Sequence, residues 1–335
     1  MKNAASIPVA IDSGNVSEEA VRWAYRIALG REPESDAAVR AHCEQTHSLA
    51  QLRDAFFASN EFRASPAGRY AGLLFPPPSG FEPPPEINSP DRPDLRERIF
   101  AHIARSWSHY GETEPYWSVL TFDEYRKERL GDKLDAFADS GTDTVNRFLA
   151  TLKRNGLAIP PGAHCIELGC GVGRPTRWLA PHFAKVTALD VSPGHIALAK
   201  DYVGKHAQNV EFRQLRGLEE LDTLPPAQVF FTFLVLQHNP PPVIEALLEK
   251  IFARLTPGGI AYVHLPTFIP DYRFDVEAYL ADREDHLDME MHALPQKDVF
   301  RLAARSKMQP LEVISQTNPQ MMVADYFLMQ KLPAS

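Results

Sequence analysis

Apolar positions along the chain first recur at helical spacing, then give way to prolines, then alternate between short apolar runs and longer helical stretches. Ser17 precedes a stretch with Val21, Tyr25, Ala28 and Leu29 on one face, which predicts a capped helix that Gly30 ends. Ser35 opens a second helix with Ala38, Val39 and His42, and Ser48 a third with Leu52, Ala55 and Phe56, before Asn60-Glu-Phe62 begins the close. Residues 1–75 are therefore expected to be a small all-helical domain. Phe75-Pro-Pro-Pro-Ser-Gly-Phe-Glu-Pro-Pro-Pro85, with Pro90 and Pro93, suits neither a helix interior nor a central strand, so residues 76–93 read as a stiff linker.

From residue 94 the pattern changes. Leu95, Ile99, Ile103 and Trp107 recur every four residues and predict a helix over 94–108 with Trp107 in the core. Thr142 is placed to cap another helix, burying Val145, Phe148, Leu149 and Leu152 and ending at Gly156. These segments make 94–155 a helical cap over whatever site the following sheet builds. Strands are expected at 163–168, 186–189, 210–214, 227–232, around 260–264, at 311–315 and at 322–330. Helices fall between them at 197–206 and 243–255. The last two strands, joined through Asn318 and Pro319, read as an antiparallel pair. The class is α/β over 156–335, preceded by the helical domain.

Charge narrows the partners. Forty-three acidic against 35 basic side chains give a formal charge of −8, which argues against a dedicated nucleic-acid surface. No 18 uncharged apolar residues run together, and the start lacks a signal-peptide core, so no membrane span is expected. Cys43, Cys165 and Cys170 are odd in number and form no ligand pattern, which suits a reducing cytoplasm.

The chemistry centres on His164-Cys-Ile-Glu-Leu-Gly-Cys-Gly-Val-Gly-Arg174, followed by Val186-Thr-Ala-Leu-Asp-Val191. This is strand, glycine turn, helix, strand and acid. Glycines allow positive φ or close ligand approach, and Asp190 at a strand tip can accept both hydroxyls of a ribose. A dinucleotide site needs Gly-x-Gly-x-x-Gly, and here the third glycine comes one residue early. Glu167, two positions before Gly169, would oppose a phosphate and suits a cofactor with a positive group.

The pattern resembles the first motif of Rossmann-like S-adenosylmethionine methyltransferases. That resemblance covers about 156–331 and implies a seven-stranded sheet with one antiparallel strand, with S-adenosyl-L-methionine as cofactor. It implies cofactor-binding roles for Glu167, Gly169, Cys170, Gly171, Asp190 and Val191, with Leu215 near adenine and Thr232 near the methionine end. Leu215-Arg-Gly217 stands where such families place an acid for adenine; Gln214 and Glu219 are further candidates by position. Val-Leu-Gln-His238 resembles the segment after the fourth strand in small-molecule members. His238 is a candidate base, acceptor ligand or loop-orienting group, and His264 points either to the pocket or to the core. In the aromatic segment 107–117, His109 and Tyr116 are catalytic candidates, while Tyr110 and Trp117 are placed over the cofactor. Tyr272, Arg273 and Phe274 are expected in the acceptor wall, and the run 285–292 in an exposed acidic helix or lid rather than a metal site.

Tyr25-Arg-Ile-Ala-Leu-Gly-Arg-Glu-Pro33 with Phe57-Ala-Ser-Asn-Glu-Phe62 resembles a helical domain of unknown function. That domain recurs in bacterial proteins, fused to enzymes of surface-polysaccharide synthesis, and is similar to part of the phycobilisome linkers. It implies O-methylation of a sugar, polysaccharide or other small hydroxylated acceptor. It also implies assembly, with a second copy or a polysaccharide enzyme, through residues 1–75. The alternatives are a natural-product or lipid-precursor methyltransferase, and a non-catalytic scaffold that binds the same cofactor. Methyl transfer needs alignment and at most one proton removed from the acceptor.

Overall fold

The computed structural model describes residues 16–59, 61–62, 84–89, 92–283, 286–317 and 322–333. The proline run through residue 83, Asn60, Pro90, Asp285, and Asn318 with Pro319 lie outside the described residues. The chain divides into two compact units, 1–77 and 78–335.

In the first unit, α1 (Glu18–Ala24) starts where the Ser17 hydroxyl accepts the Ala20 N–H at 3.1 Å. It runs on as one π-helical turn, Tyr25–Leu29, and stops at Gly30 with φ +68°. Ser35 and Ser48 cap α2 (Asp36–Gln45) and α3 (Leu49–Ala58) in the same way. Val21, Tyr25, Val39, Leu52, Phe56 and Phe62 form the core, with the Tyr25 ring edge-on to Phe56 at 4.9 Å. Arg31 binds both Glu34 and Glu61. The two sequence motifs of this unit are thus tied to each other by an ion pair, which accounts for them structurally without any chemistry.

The second unit carries a seven-stranded sheet in the order β4-β3-β2-β5-β6-β9-β8. The strands are β2 (His164–Leu168), β3 (Lys185–Asp190), β4 (Val210–Gln214), β5 (Ala227–Thr232), β6 (Leu255–Phe268), β8 (Met308–Thr317) and β9 (Val323–Lys331). Only β9 runs against its neighbours, so the α/β sheet with one reversed strand expected from the sequence is present. Two short strands, β1 (Glu86–Asn88) and β7 (Arg273–Asp275), pair separately and in parallel. Part of the proline-rich stretch read as a spacer is therefore a strand, with Ile87 against the core.

Side chains alternate across the sheet with period two, so each strand feeds two cores. Ile166, Leu168, Phe230, Ala261, Val263 and Phe327 face one core, to which α4 (Pro93–Thr113) adds Leu95, Ile99, Phe100 and Ile103. Helix α8 (Pro241–Arg254) and helix α10 (Gln296–Arg305) complete that side. Cys165, Val229, Phe231, Tyr262 and Leu328 face the other core, covered by α5 (Leu134–Arg154) through Phe148 and Leu152 and by α6 (Thr176–Leu179). Phe148 is fully buried against Phe231 and Tyr262, with ring centroids 5.6 and 5.2 Å away. Helix α7 (Pro193–Gly204) and helix α9 (Val276–Arg283) follow β3 and β7.

Three expectations are corrected. The first cap helix extends to Thr113, past the expected end at 108. Thr142 is no cap: α5 begins at Leu134, and its buried stripe already includes Phe137, Ala138 and Gly141. Gly141 lies inside this helix, and the position takes no side chain because a Cβ there would lie 2.1 Å from the Arg174 carbonyl oxygen. Residues 286–292 form no helix, and Glu290 and His292 in that run are largely buried.

Gly141→Ala must therefore push α5 off the glycine turn. A loss of roughly 1–3 kcal/mol in urea unfolding is expected, the usual cost of overpacking. Gly204→Ala, with nothing within 4 Å of the added methyl, is the near-neutral control.

Candidate cofactor site

The turn after β2 is built around β3. The Gly169 and Cys170 N–H groups both donate to the Leu189 carbonyl, at 2.7 and 3.0 Å. Gly169 has φ +73°, and a Cβ there would meet Val235 at 2.1 Å, so position 169 takes no side chain. The Gly171 N–H donates to Asp190 Oδ2 at 2.8 Å and the Ser192 N–H to Asp190 Oδ1 at 2.9 Å. Each Asp190 oxygen thus accepts one backbone donor and keeps lone-pair capacity for a ligand.

A cleft of about 810 Å³ opens above this turn. Its floor is Leu168, Gly169, Cys170, Gly171 and Asp190; Phe100, Ile103 and Trp107 of α4 line one wall. Val191 and Leu215 line it beside β3 and β4, and Phe233 to Val235 after β5. Leu234 holds φ +58°, a conformation unusual for leucine, at the tip where the chain leaves β5.

Glu167 lies beneath the turn, 1% exposed, and its Oε2 has no hydrogen-bond partner. Burial pushes its carboxyl up to about 7; the neighbouring Thr176 hydroxyl and Arg174 pull the other way. Arg174 lines the cleft and is 4% exposed. Burial lowers its guanidinium to about 10, so it stays charged at neutral pH.

His238 also lines the cleft, its ring 4.9 Å from Trp107. Its Nδ1–H donates to the Glu290 carbonyl at 2.8 Å, since a carbonyl only accepts. Nε2 is then the bare nitrogen, and the Gln237 amide donates to it at 3.1 Å. The segment behind it is fixed by Glu290, whose carboxylate meets His102 at 3.2 Å, Tyr279 at 3.2 Å and His292 at 2.7 Å. Burial opposes that charge, but the hydrogen bonds from His102 and His292 hold Glu290 down to about 2. Desolvation lowers His238 to about 4. It is neutral at physiological pH, a fixed hydrogen-bond acceptor and a weak base.

Of the residues singled out in the sequence, Gly169, Cys170, Gly171, Asp190, Val191, Leu215 and His238 meet in the cleft, with Glu167 beneath it. The others do not. Thr232 is buried and donates to the Leu168 carbonyl at 3.1 Å. His264 points into the core, 4.5 Å from the Tyr326 ring, because residue 264 falls on the closed side of β6. Tyr116 packs edge-on to Phe137, Arg126 lies over Trp117, Tyr110 packs beside Trp107, and His109 is exposed. Gln214 turns back to donate to the Val191 carbonyl. Trp107, Arg174, His195 and Asn239 line the cleft without having been singled out as ligand groups. Arg174 was legible only as the residue after the third glycine.

Both His238 and His264 carry pKa values of about 4, lowered by desolvation and, for His264, also by Arg147. Their ring signals are expected to stay those of neutral imidazole down to about pH 5 in an NMR titration. A midpoint near 6.5 for His238 would contradict the buried, acceptor-only geometry.

Residues 165–259 match the methyltransferase domain family. That segment contains the glycine turn, Glu167 and Asp190. Among curated proteins, the carboxy-S-adenosyl-L-methionine synthase of Chromohalobacter salexigens is 30% identical over 127 residues, 36% of this chain and 46% of that protein. The trans-aconitate 2-methyltransferase of Variovorax paradoxus is 30% identical over 110 residues, 32% of this chain and 40% of that protein. The chain thus spans less than half the length of these two relatives. Among solved structures, magnesium protoporphyrin IX methyltransferase from Synechocystis, with bound SAH, aligns with a TM-score of 0.48 at 15% identity, covering 68% of this chain and 99% of that one.

Proposed function

We propose that the chain binds S-adenosylmethionine in this cleft and transfers its methyl group to an oxygen of a small hydroxylated acceptor. Bound there, the cofactor supplies a methyl group already activated by a positive sulfur. The observation that carries the reading is the pairing of Glu167, a buried carboxylate with an unfilled oxygen, with Asp190 at the next strand tip. Glu167 suits the cofactor's ammonium and Asp190 its ribose. Glycine at 169 leaves room for Val235, which lines the cleft beside the turn. Phe100, Ile103 and Trp107 exclude water from the reacting end.

An acceptor hydroxyl that displaces the Gln237 amide can donate to His238 Nε2 and is oriented by it. With a pKa of about 4, its role is alignment rather than storage of a proton at neutral pH. A sugar or polysaccharide acceptor rests on the resemblance of the two motifs in residues 25–33 and 57–62 to the helical domain fused to polysaccharide enzymes. A carboxylated small molecule is the second reading; it is favoured by the similarity to a carboxy-S-adenosyl-L-methionine synthase and a trans-aconitate 2-methyltransferase and by the buried cation Arg174.

Calorimetry of the full chain with S-adenosylmethionine and S-adenosylhomocysteine tests the proposal. Micromolar binding of both is expected. A folded protein that binds neither would end it. A methyl-transfer screen of sugar nucleotides against polycarboxylates separates the two acceptor readings.

A further inference from the structure

Arg174 is a buried cation without an anion. Its side chain lines the cleft, yet its polar contacts are two distant neutral hydroxyls, Ser140 Oγ at 3.3 Å and Thr144 Oγ1 at 3.4 Å. The Phe233 ring lies 5.9 Å away, and Nε has no partner. Among the described residues, no carboxylate comes within the 4.0 Å of an ion pair with it. Glu167 is close enough to be felt electrostatically but does not pair with it. An arginine taken out of water is normally matched by a carboxylate, because an uncompensated buried charge is strongly destabilising. Its planar fork also matches a carboxylate better than any other partner the cleft wall offers.

We infer that Arg174 is the cleft's receptor for a carboxylate carried by the ligand, an assignment that rests on the cleft being the ligand site proposed above. Glu167 and Arg174 are opposite charges, each with an unfilled polar atom, held apart in one buried region. That arrangement fits a ligand bearing an ammonium and a carboxylate together, as the amino-acid end of the cofactor does. It equally fits an anionic acceptor placed beside the turn. In either case the carboxylate accepts hydrogen bonds from Nε and an Nη. The serine and threonine of α5 then keep the guanidinium oriented while the cleft is empty.

The test uses the full chain as wild type, Arg174→Met and Arg174→Lys. Calorimetry compares S-adenosylmethionine with its decarboxylated analogue, and malonate is titrated with and without S-adenosylhomocysteine. If the cofactor supplies the carboxylate, the wild type binds the decarboxylated analogue roughly 10- to 100-fold more weakly, and Arg174→Met binds both alike. If an acceptor supplies it, the wild type makes no such distinction but binds malonate, and Arg174→Met does not. Arg174→Lys falls between in whichever arm responds, since it keeps the charge without the fork. Ligand-free Arg174→Met should melt no lower than wild type, because its charge had no counter-ion to lose. The inference is overturned if a folded variant keeps the carboxylate preference and malonate binding, or if the wild type shows neither. A wild type that binds malonate through Arg174 but no cofactor would sink the proposed function while leaving this assignment standing.

Discussion

Asp190→Ala is expected to abolish measurable cofactor binding, and Asp190→Asn to weaken it by about two orders of magnitude. The carboxylate has two tasks. It accepts the Gly171 and Ser192 N–H groups and so holds the glycine turn to the start of α7. Its remaining lone pairs face the cleft, where a ribose diol can donate two more hydrogen bonds. A hydrogen bond to a charged group is worth roughly 1.5–3 kcal/mol, so losing two removes at least about 3 kcal/mol, or more than 100-fold in affinity. Alanine also frees the turn, which adds an ordering cost on binding. Asparagine restores one acceptor, but its NH2 must face one of the two backbone donors, so only part of the turn survives. Calorimetry with S-adenosylhomocysteine, alongside circular dichroism for the fold, measures both effects. Affinity within threefold of wild type for Asp190→Ala would place the ribose elsewhere.

Cofactor affinity is expected to rise about tenfold between pH 6 and pH 8, and Glu167→Gln to flatten that rise. Burial holds the Glu167 carboxyl at about 7, above the 4.5 of an exposed glutamate. An ammonium ligand needs the ionised form, which is about a tenth populated at pH 6 and dominant at pH 8. The same shift acts on the empty protein with the opposite sign. Between pH 4.5 and 7 the folded state binds more protons at this residue than the unfolded chain, so its contribution to stability falls as pH rises. Glu167→Gln carries no such penalty. Its ligand-free stability should overtake wild type by up to about 3 kcal/mol on going from pH 5 to pH 8, read from urea midpoints. At pH 8 the same variant should bind S-adenosylmethionine more weakly than wild type. A substitution that stabilises the empty protein and weakens the complex distinguishes a ligand-matched charge from a structural one. Equal pH profiles for the two proteins would remove Glu167 from the ammonium site.

The sheet was legible because each central strand is a short apolar run and each turn has its own signal. The glycine turn and Asp190 were legible because their chemistry is local and spacing places them at strand tips, whereas His238, six residues past the end of β5, was singled out through the family resemblance of Val-Leu-Gln-His. What stayed hidden depends on packing between distant segments. Helix α5 was placed too late, from Thr142, and only the approach of the Arg174 carbonyl explains a glycine at 141 in its interior. Trp107 has the period of a core residue but is half-buried, packing against the core at the edge that is also the cleft wall. His264 had two faces to choose from, and the choice was made by Tyr326 on the reversed strand. The aromatic segment looked like a substrate cavity because aromatics are dense there. Most of them instead pack on one another or on Phe137 and Arg126.

The far edge of the sheet has a built-in check on its assembly. Asp325 of β9 is wholly buried, and its carboxylate is met by Thr267 of β6 at 2.6 Å, Gln296 of α10 at 2.6 Å and Ser315 of β8 at 2.5 Å. Those donors come from three separate elements and converge only when β9 lies between β6 and β8 in one alignment. A slip by a single residue turns the side chain to the opposite face and leaves a bare charge in an apolar layer. The reversed strand can therefore close the sheet in one way at low cost and in every neighbouring way at high cost. An otherwise promiscuous run of apolar residues thereby acquires a single address.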